Sequence, residues 1–454
     1  MNDSPDHRAP SAARPRIGLQ AVPADAPTPA RKSTPVTGPW RPGTLLAAPH
    51  RLGFFLAVGV LMAASVWWLA VQVDRVTGWL QLAPVMSSTL THAVVMVFGF
   101  MPLFFSGFLF TAGPKWLGVD GYMARQLVAP LGLQAAGWWL WLAGAHVDVG
   151  PHGKLALAGL VLAGVGLAWM QAMFWRLVRA SRAADRVHAL AVGTGGIVGV
   201  LCLGGVGAAL LAGRVDLALL AARTALWGFI VVTYVSVAHR MIPFFTASVL
   251  PLIEVWRPFW VLWLMLGIAA FEVLALWVDF AAPSGSAWPA WTVFVIVVEA
   301  AAGGVLLWLA VVWGLVQSLK IRLLAMLHVG FVWLGLALVI SAASQALWLI
   351  TGRPVLGLAA LHALSMGFLG SIMIAMVTRV SCGHSGRALV ADDLVWGLFW
   401  ALQGVVLLRL LAAVQGVPAV VTVVAALGWA AVVTVWGLRY AWWYGTPRID
   451  GKPG

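Results

Sequence analysis

Two histidines stand within strongly apolar stretches of the chain and share their surroundings. His92 opens the sequence HAVVMVF and His362 opens HALSMGF, so a methionine, Met96 or Met366, follows each by four residues. Residues four apart lie on one face of a helix. Ala, Met and Phe are common in apolar helices, so chance can produce the repeat. A histidine inside lipid is costly, however, which favours a functional role, and neutral imidazole ligates haem iron and copper.

The elements that must position these histidines are membrane helices. Of the 454 residues, 62% are hydrophobic and only 9% are charged. Apolar runs of roughly 20 residues recur, each long enough to cross a bilayer as a helix. The composition predicts an all-α polytopic membrane protein with about twelve spans. Their expected limits are 53–73, 90–110, 126–145, 154–175, 190–212, 218–238, 259–279, 290–312, 322–347, 354–378, 394–414 and 418–438.

The regions outside the spans are short. Residues 1–44 are basic and rich in Pro and Ala, and we expect a disordered tail there. Residues 45–443 form the predicted transmembrane domain, and residues 444–454 a short C-terminal tail. Most Lys and Arg residues fall in the N-terminal tail and in loops on its side of the membrane, which predicts that both termini are cytoplasmic. This distribution of the net charge of +13 argues against a nucleic-acid partner.

The orientation assigns a depth to each histidine within a span. His92 and His362 both fall in the outer half of the membrane, on two different spans. Two histidines on different helices can hold one haem between them as axial ligands, so we expect these two to ligate a b-type haem. Arginines on the outer side are candidates to pair with its propionates: Arg75, Arg223 and Arg353.

Three other histidines fall on the inner side. They come from separate segments and form a predicted inner cluster for a metal ion or a second haem with an open position: His239, His328 and His384. The alternative is that each one caps a helix or touches lipid headgroups. His50 lies at the inner edge beside Arg51, and both a functional role and a solvated surface position are open for it. The remaining histidines are expected on solvated tails or loops: His7, His146, His152 and His188.

Two glutamates fall near the middle of the membrane. Glu272 and Glu299 lie on consecutive spans that should form a hairpin. Charged carboxylates there are expensive, so we expect them to be protonated, paired or turned to a polar cavity. They are candidates for a proton supply or for ligands of a non-haem metal. The alternative is a structural pair with Arg409, which also lies deep in a span.

Four stretches resemble a known family. They are HRLGFFLAVGVLMAASVWW at 50–68, THAVVMVFGFMPLFFSGFLFTAGPKWLG at 91–118, AHRMIPFFT at 238–246, and LHALSMGFLGSIMIAMVTRVSCGHSGR at 361–387. With the twelve spans, they resemble NnrS, a family of haem- and copper-containing membrane proteins of bacterial nitric oxide metabolism. The resemblance implies a multi-pass protein of the bacterial inner membrane with one or two non-covalent b haems, and copper or non-haem iron as a further candidate. It does not assign the ligands, which rest on depth.

A looser likeness is to the main subunit of haem-copper oxidases and nitric oxide reductases. That subunit also has twelve spans and takes low-spin haem ligands from spans two and ten, where His92 and His362 lie. This sequence lacks the His-x-His on span ten and the His-His pair on span seven. Any second redox site must therefore be built differently.

These expectations leave three functions open. The first is an enzyme that reduces nitric oxide to nitrous oxide with electrons from quinol or a redox protein. The second is a protein that binds nitric oxide, haem or metal and protects against nitrosative stress without catalysis. The third is a transporter, which the histidines disfavour. Haem and metal content, together with nitric oxide consumption, separates the first two.

Overall fold

Long helices dominate the computed structural model, which describes residues 38–147, 153–250, 254–282 and 289–452. No strand occurs within these ranges. The membrane helices are numbered in chain order: α1 Pro49–Thr77, α2 Ser88–Leu117, α3 Ala124–Gly144, α4 Lys154–Ala180, α5 Val187–Leu211, α6 Val215–Val249, α7 Phe259–Ala281, α8 Pro289–Val312, α9 Arg322–Thr351, α10 Ala359–His384, α11 Asp393–Leu411 and α12 Val420–Gly445.

The predicted class, an all-α polytopic membrane protein, is confirmed. Eleven helices of the described part are long and apolar enough to cross a membrane. The remaining predicted span coincides with α3, which Gln134 and three tryptophans make less apolar than the others. It packs antiparallel against α4 along most of its length.

Three of these helices depart from regular α geometry. α2 is interrupted at Gly99 and Phe100, and it resumes with Pro102 in its first turn. Proline has no N–H to continue the ladder of hydrogen bonds, so a break just before it is expected. α6 contains a π-helical segment at Leu226–Val231, and α10 contains one at Ala363–Gly370. Such segments are rare and are frequent at functional sites.

The two ends of the described chain lie together. A 3₁₀ helix at Pro42–Ala47 precedes α1. Just before it, Trp40 Nε1 donates a hydrogen bond to the carbonyl of Ala441 at 3.2 Å, and the Arg41 N–H donates to the carbonyl of Gly445 at 2.8 Å. Both ends are therefore on one side of the bundle, which an even number of spans requires. The predicted boundary at residue 44 falls inside the 3₁₀ helix, and the disorder predicted for residues 1–37 lies outside the described residues.

Glycines allow several helices to approach closely. A Cβ built on Gly137 of α3 would lie 2.5 Å from the carbonyl oxygen of Gly159 in α4. On the same helix, a Cβ built on Gly132 would meet no atom within 4 Å. Small residues in such contacts are typical of membrane helix pairs, because they let the two backbones touch.

We predict that Gly137→Ala destabilises the protein by about 1–3 kcal/mol, because the added methyl overlaps the α4 backbone. Gly132→Ala should leave stability unchanged or raise it slightly, since alanine favours a helix over glycine. Thermal unfolding in detergent, followed by tryptophan fluorescence, measures both. Equal melting temperatures for the two variants would contradict the assigned α3–α4 contact.

Candidate functional site

His92 lies in the first half of α2 and packs against α1. Its ring stacks on the indole of Trp68, with ring centres 3.9 Å apart and planes inclined by 12°. His92 Nδ1 is fully buried and has no hydrogen-bond partner among the described residues. Stacking holds the ring plane in one orientation, while the nitrogen remains available to a ligand.

His362 lies in α10, immediately before the π-helical segment Ala363–Gly370. Its Nδ1 is 2.9 Å from the carbonyl oxygen of Leu358, one turn earlier. A carbonyl only accepts hydrogen bonds, so Nδ1 carries the proton and Nε2 keeps its lone pair. Histidines that bind metal use this arrangement, in which the second nitrogen donates to a backbone carbonyl.

The structure brings these two histidines into one neighbourhood. They lie within electrostatic reach of each other, and Arg409 of α11 lies within reach of both. Arg409 Nη1 is buried without a hydrogen-bond partner in the described part of the chain. Arg75 is close to His92: its guanidinium lies 5.1 Å from the centre of the Trp68 ring and donates to Thr89 Oγ1 at 3.2 Å.

The predicted propionate partners thus separate into two groups. Arg75 lies near His92. Arg223 and Arg353 are exposed and are not among the charged groups that act on either histidine. Arg409 acts on both histidines. In the sequence, Arg409 was an alternative partner for the two glutamates, because depth alone does not say which way a helix faces.

His239 does not meet the other members of the predicted inner cluster. His188 Nε2 is 2.9 Å from His239 Nδ1, and His239 Nε2 is 3.1 Å from the carbonyl oxygen of Pro258. The expectation that His188 is solvated is wrong, since it lies in the first turn of α5 and is 3% exposed. The adjoining charges of Asp185 and Arg186 suggested a loop, but the helix begins directly after them.

His328 and His384 have further, separate partners. His328 Nε2 is 3.0 Å from Thr246 Oγ1, and the two groups are completely buried. The His384 ring packs against His50, with ring centres 4.4 Å apart. The structure therefore places the three histidines in three environments. Within the described ranges, no group of three or more His, Cys, Asp or Glu side chains is placed to hold a metal ion.

Glu272 of α7 and Glu299 of α8 are buried, and their carboxyl groups hydrogen-bond to each other. Two carboxylates cannot share a hydrogen bond unless one of them carries a proton. Glu299 also accepts from Ser341 Oγ at 2.9 Å and from Gln345 Nε2 at 2.8 Å, both on α9. The two consecutive helices meet here through these side chains. Neither carboxylate takes part in any of the ion pairs of the described residues, so the alternative pairing with Arg409 is not found.

A comparison with known families agrees with this architecture. The sequence model described as NnrS protein matches residues 44–448, nearly the whole chain. No curated protein matches the chain. The match includes every membrane helix described above, and membership points to a multi-pass membrane protein related to nitric oxide. On this extent of similarity, the chain belongs to the NnrS family.

Proposed function

We propose that this protein binds a b-type haem through His92 and His362 and uses it to reduce nitric oxide to nitrous oxide. The observation that carries the proposal is the hydrogen bond from His362 Nδ1 to the Leu358 carbonyl, which leaves the lone pair of Nε2 free for a metal. The buried, unpaired nitrogen of His92 supports the same reading. An unpaired buried polar atom costs about 1–3 kcal/mol, so its retention favours a bound partner.

The surrounding side chains fit a haem with two carboxylates. Trp68 fixes the ring of His92 by stacking, and Leu358 fixes that of His362. Arg75 and Arg409 supply two positive charges beside the histidines, and each can neutralise one propionate. When bound, the haem supplies a site that accepts and passes on single electrons.

The glutamate pair fits a proton supply. Reducing two molecules of nitric oxide to nitrous oxide and water consumes two protons and two electrons, and quinol or a redox protein is the proposed electron donor. Ser341 and Gln345 occupy the two oxygens of Glu299. Glu272 Oε1 is buried and has no hydrogen-bond partner among the described residues. A proton can therefore enter at Glu272 once the proton in the shared bond has moved to Glu299, which leaves Glu272 ionised.

A second candidate function is a protein that binds nitric oxide or haem and protects against nitrosative stress without turnover. One observation favours it. A reductase of this type needs a second redox site, and the predicted inner cluster of histidines does not come together in the described residues. In that case the glutamate pair stabilises the contacts among α7, α8 and α9. Copper or non-haem iron would then be no part of a catalytic centre.

We predict that His92→Ala and His362→Ala each abolish the low-spin haem signal, because each would remove one of the two imidazoles proposed to hold the haem. Low-temperature electron paramagnetic resonance and reduced optical spectra of the purified variants measure this. His146→Ala is the matched control, since His146 accepts a hydrogen bond from Trp67 and should not ligate iron. A low-spin signal that survives both changes would exclude the assignment.

We predict that Arg75→Gln and Arg409→Gln weaken haem retention by about 10–100-fold, because each leaves one propionate without its cation. Arg353→Gln, at an exposed arginine outside the neighbourhood, should retain haem like the unaltered protein. The rate at which each of the three variants loses haem is measured optically, with excess apomyoglobin as the haem acceptor. If Arg353→Gln loses haem as fast as the other two variants, the propionate assignment is wrong.

We predict that Glu272→Gln keeps full haem content and slows nitric oxide consumption, because an amide cannot take up a proton. Glu299→Gln should behave in the same way, while Glu254→Gln, at an exposed position before α7, should have little effect. An anaerobic nitric oxide electrode measures consumption by purified protein with a reduced donor. Unchanged turnover in the double variant would exclude the pair as the proton supply and would favour the binding protein.

A further inference from the structure

Basic side chains gather at the end of the bundle that holds both ends of the described chain. Four cations from separate segments form what we call the terminal basic cluster: Arg51, Lys115, Arg387 and Arg448. Arg51 lies within electrostatic reach of Arg387 and Arg448. His384, the last residue of α10, lies within reach of both Lys115 and Arg51. The fold thus brings like charges together from the starts and ends of several helices.

The charge of this cluster is only partly balanced. Arg448 is bound to Asp450 at 2.7 Å, whereas no ion pair of the described residues includes the other three cations. Arg51 is 2% exposed and donates to two backbone carbonyls, which carry no net charge. Arg387 Nη1 is buried without a hydrogen-bond partner in the described part of the chain. A buried cation without a counter-ion is costly, so the cluster favours an anion from outside the chain.

The neighbouring charged residues do not supply that anion. Arg439 lies within reach of Arg387 and is already bound to Asp392, so this pair is neutral in itself. Asp120 lies nearby, on the wall of a cavity that also includes Lys115. The four cations of the cluster, set against the two carboxylates of Asp450 and Asp120, leave an excess of two positive charges.

That cavity lies open at the surface beside the cluster. It has a volume of about 960 Å³, and Lys115 and His384 both lie on its wall. The His384 ring packs against His50, with ring centres 4.4 Å apart, so packing fixes its position. A volume of this size exceeds what an inorganic ion fills and is typical of pockets that hold larger organic ligands.

Much of the remaining wall is apolar. It comes from the start of α1, the end of α2 with the connection after it, and the end of α4: Pro49, Phe110, Val119, Met123, Leu177 and Ala180. A wall that combines cations with apolar side chains suits a ligand with both an anionic and an apolar part. Arginine and lysine bind phosphate oxygens through charge-assisted hydrogen bonds, and basic pockets between membrane helices hold lipid headgroups in this way.

We propose that this cavity binds the phosphate group of an anionic phospholipid, with Lys115 and His384 at the headgroup and the terminal basic cluster as the source of charge. A free phosphate ion has the same charged part but leaves the apolar wall uncovered. The site is separate from the haem proposed at His92 and His362 and does not depend on it. Because the cluster joins α1 and α2 to the segments after α10 and α12, a bound lipid holds these elements together.

Native mass spectrometry of the purified full-length protein, with equal amounts of phosphatidylglycerol and phosphatidylcholine, tests the site. The unaltered protein should retain one phosphatidylglycerol per chain in preference to phosphatidylcholine. Lys115→Gln should lower the affinity for phosphatidylglycerol about fivefold, and Lys115→Glu about 25-fold, as expected for the loss of one cation and for a reversed charge near a headgroup.

Lys320→Gln and Lys320→Glu are the matched controls. Lys320 is exposed just before α9, at the same end of the bundle, and does not line the cavity. Both control variants should bind phosphatidylglycerol like the unaltered protein. Equal losses of affinity at the two lysines, or no preference for phosphatidylglycerol over phosphatidylcholine, would overturn the proposal.

Thermal unfolding of the unaltered protein distinguishes a lipid from a free ion and does not depend on any variant folding. Added phosphatidylglycerol should raise the melting temperature, since a ligand that binds only the folded state stabilises it. Inorganic phosphate at matched ionic strength should raise it less. A rise with inorganic phosphate and none with phosphatidylglycerol would show that the site takes a free ion, and the proposed lipid would be wrong.

Discussion

The structure depends on one constraint: inside a bilayer no water is available, so each polar group must find a partner within the bundle. Many polar side chains in the spans find a hydrogen-bond partner on their own helix, as Thr233 and Ser236 do by donating to carbonyls four residues earlier. Others find a partner on a different helix, as in the hydrogen bond that Trp333 donates to Gln403. Against this background, the exceptions carry information. Among the described residues, four histidines have a buried ring nitrogen without a hydrogen-bond partner: His50, His92, His188 and His328.

The same constraint applies to the segments of irregular backbone. Membrane helices tolerate departures from α geometry only where neighbouring groups satisfy the freed hydrogen bonds. In α10, the π-helical segment follows His362 directly, and the carbonyl of Leu358 accepts from the ring. The break in α2 falls between His92 and the second half of that helix. Each of the two helices that carry the proposed ligands therefore has its own local geometry, set by a proline in one case and by a π-helical turn in the other.

Hydropathy was sufficient to predict the class and the approximate position of the helices, because these follow from composition along one dimension. It placed His92 and His362 at one level, and it placed Glu272 and Glu299 in one hairpin. It did not determine which way each helix faces. His239, His328 and His384 were expected on one side of the membrane but contact different neighbours, and Arg409 lies near the histidines and not in an ion pair with the glutamates. His50 and His188 were undervalued because both adjoin charged residues at a helix end, a pattern that also occurs in loops.

The contact between the two ends of the chain has a consequence for biogenesis. Arg51 is buried in α1 and donates to the carbonyls of Tyr444 and Thr446, at 3.0 and 2.8 Å. Almost the whole polypeptide must leave the ribosome before these carbonyls exist. Until then, the first helix to be inserted carries a guanidinium with no partner, at the membrane edge where lipid phosphates can hold it. Closure of the bundle is therefore a late, post-insertion event, and a nascent chain cut short within α12 would remain an open assembly exposed to quality-control proteases.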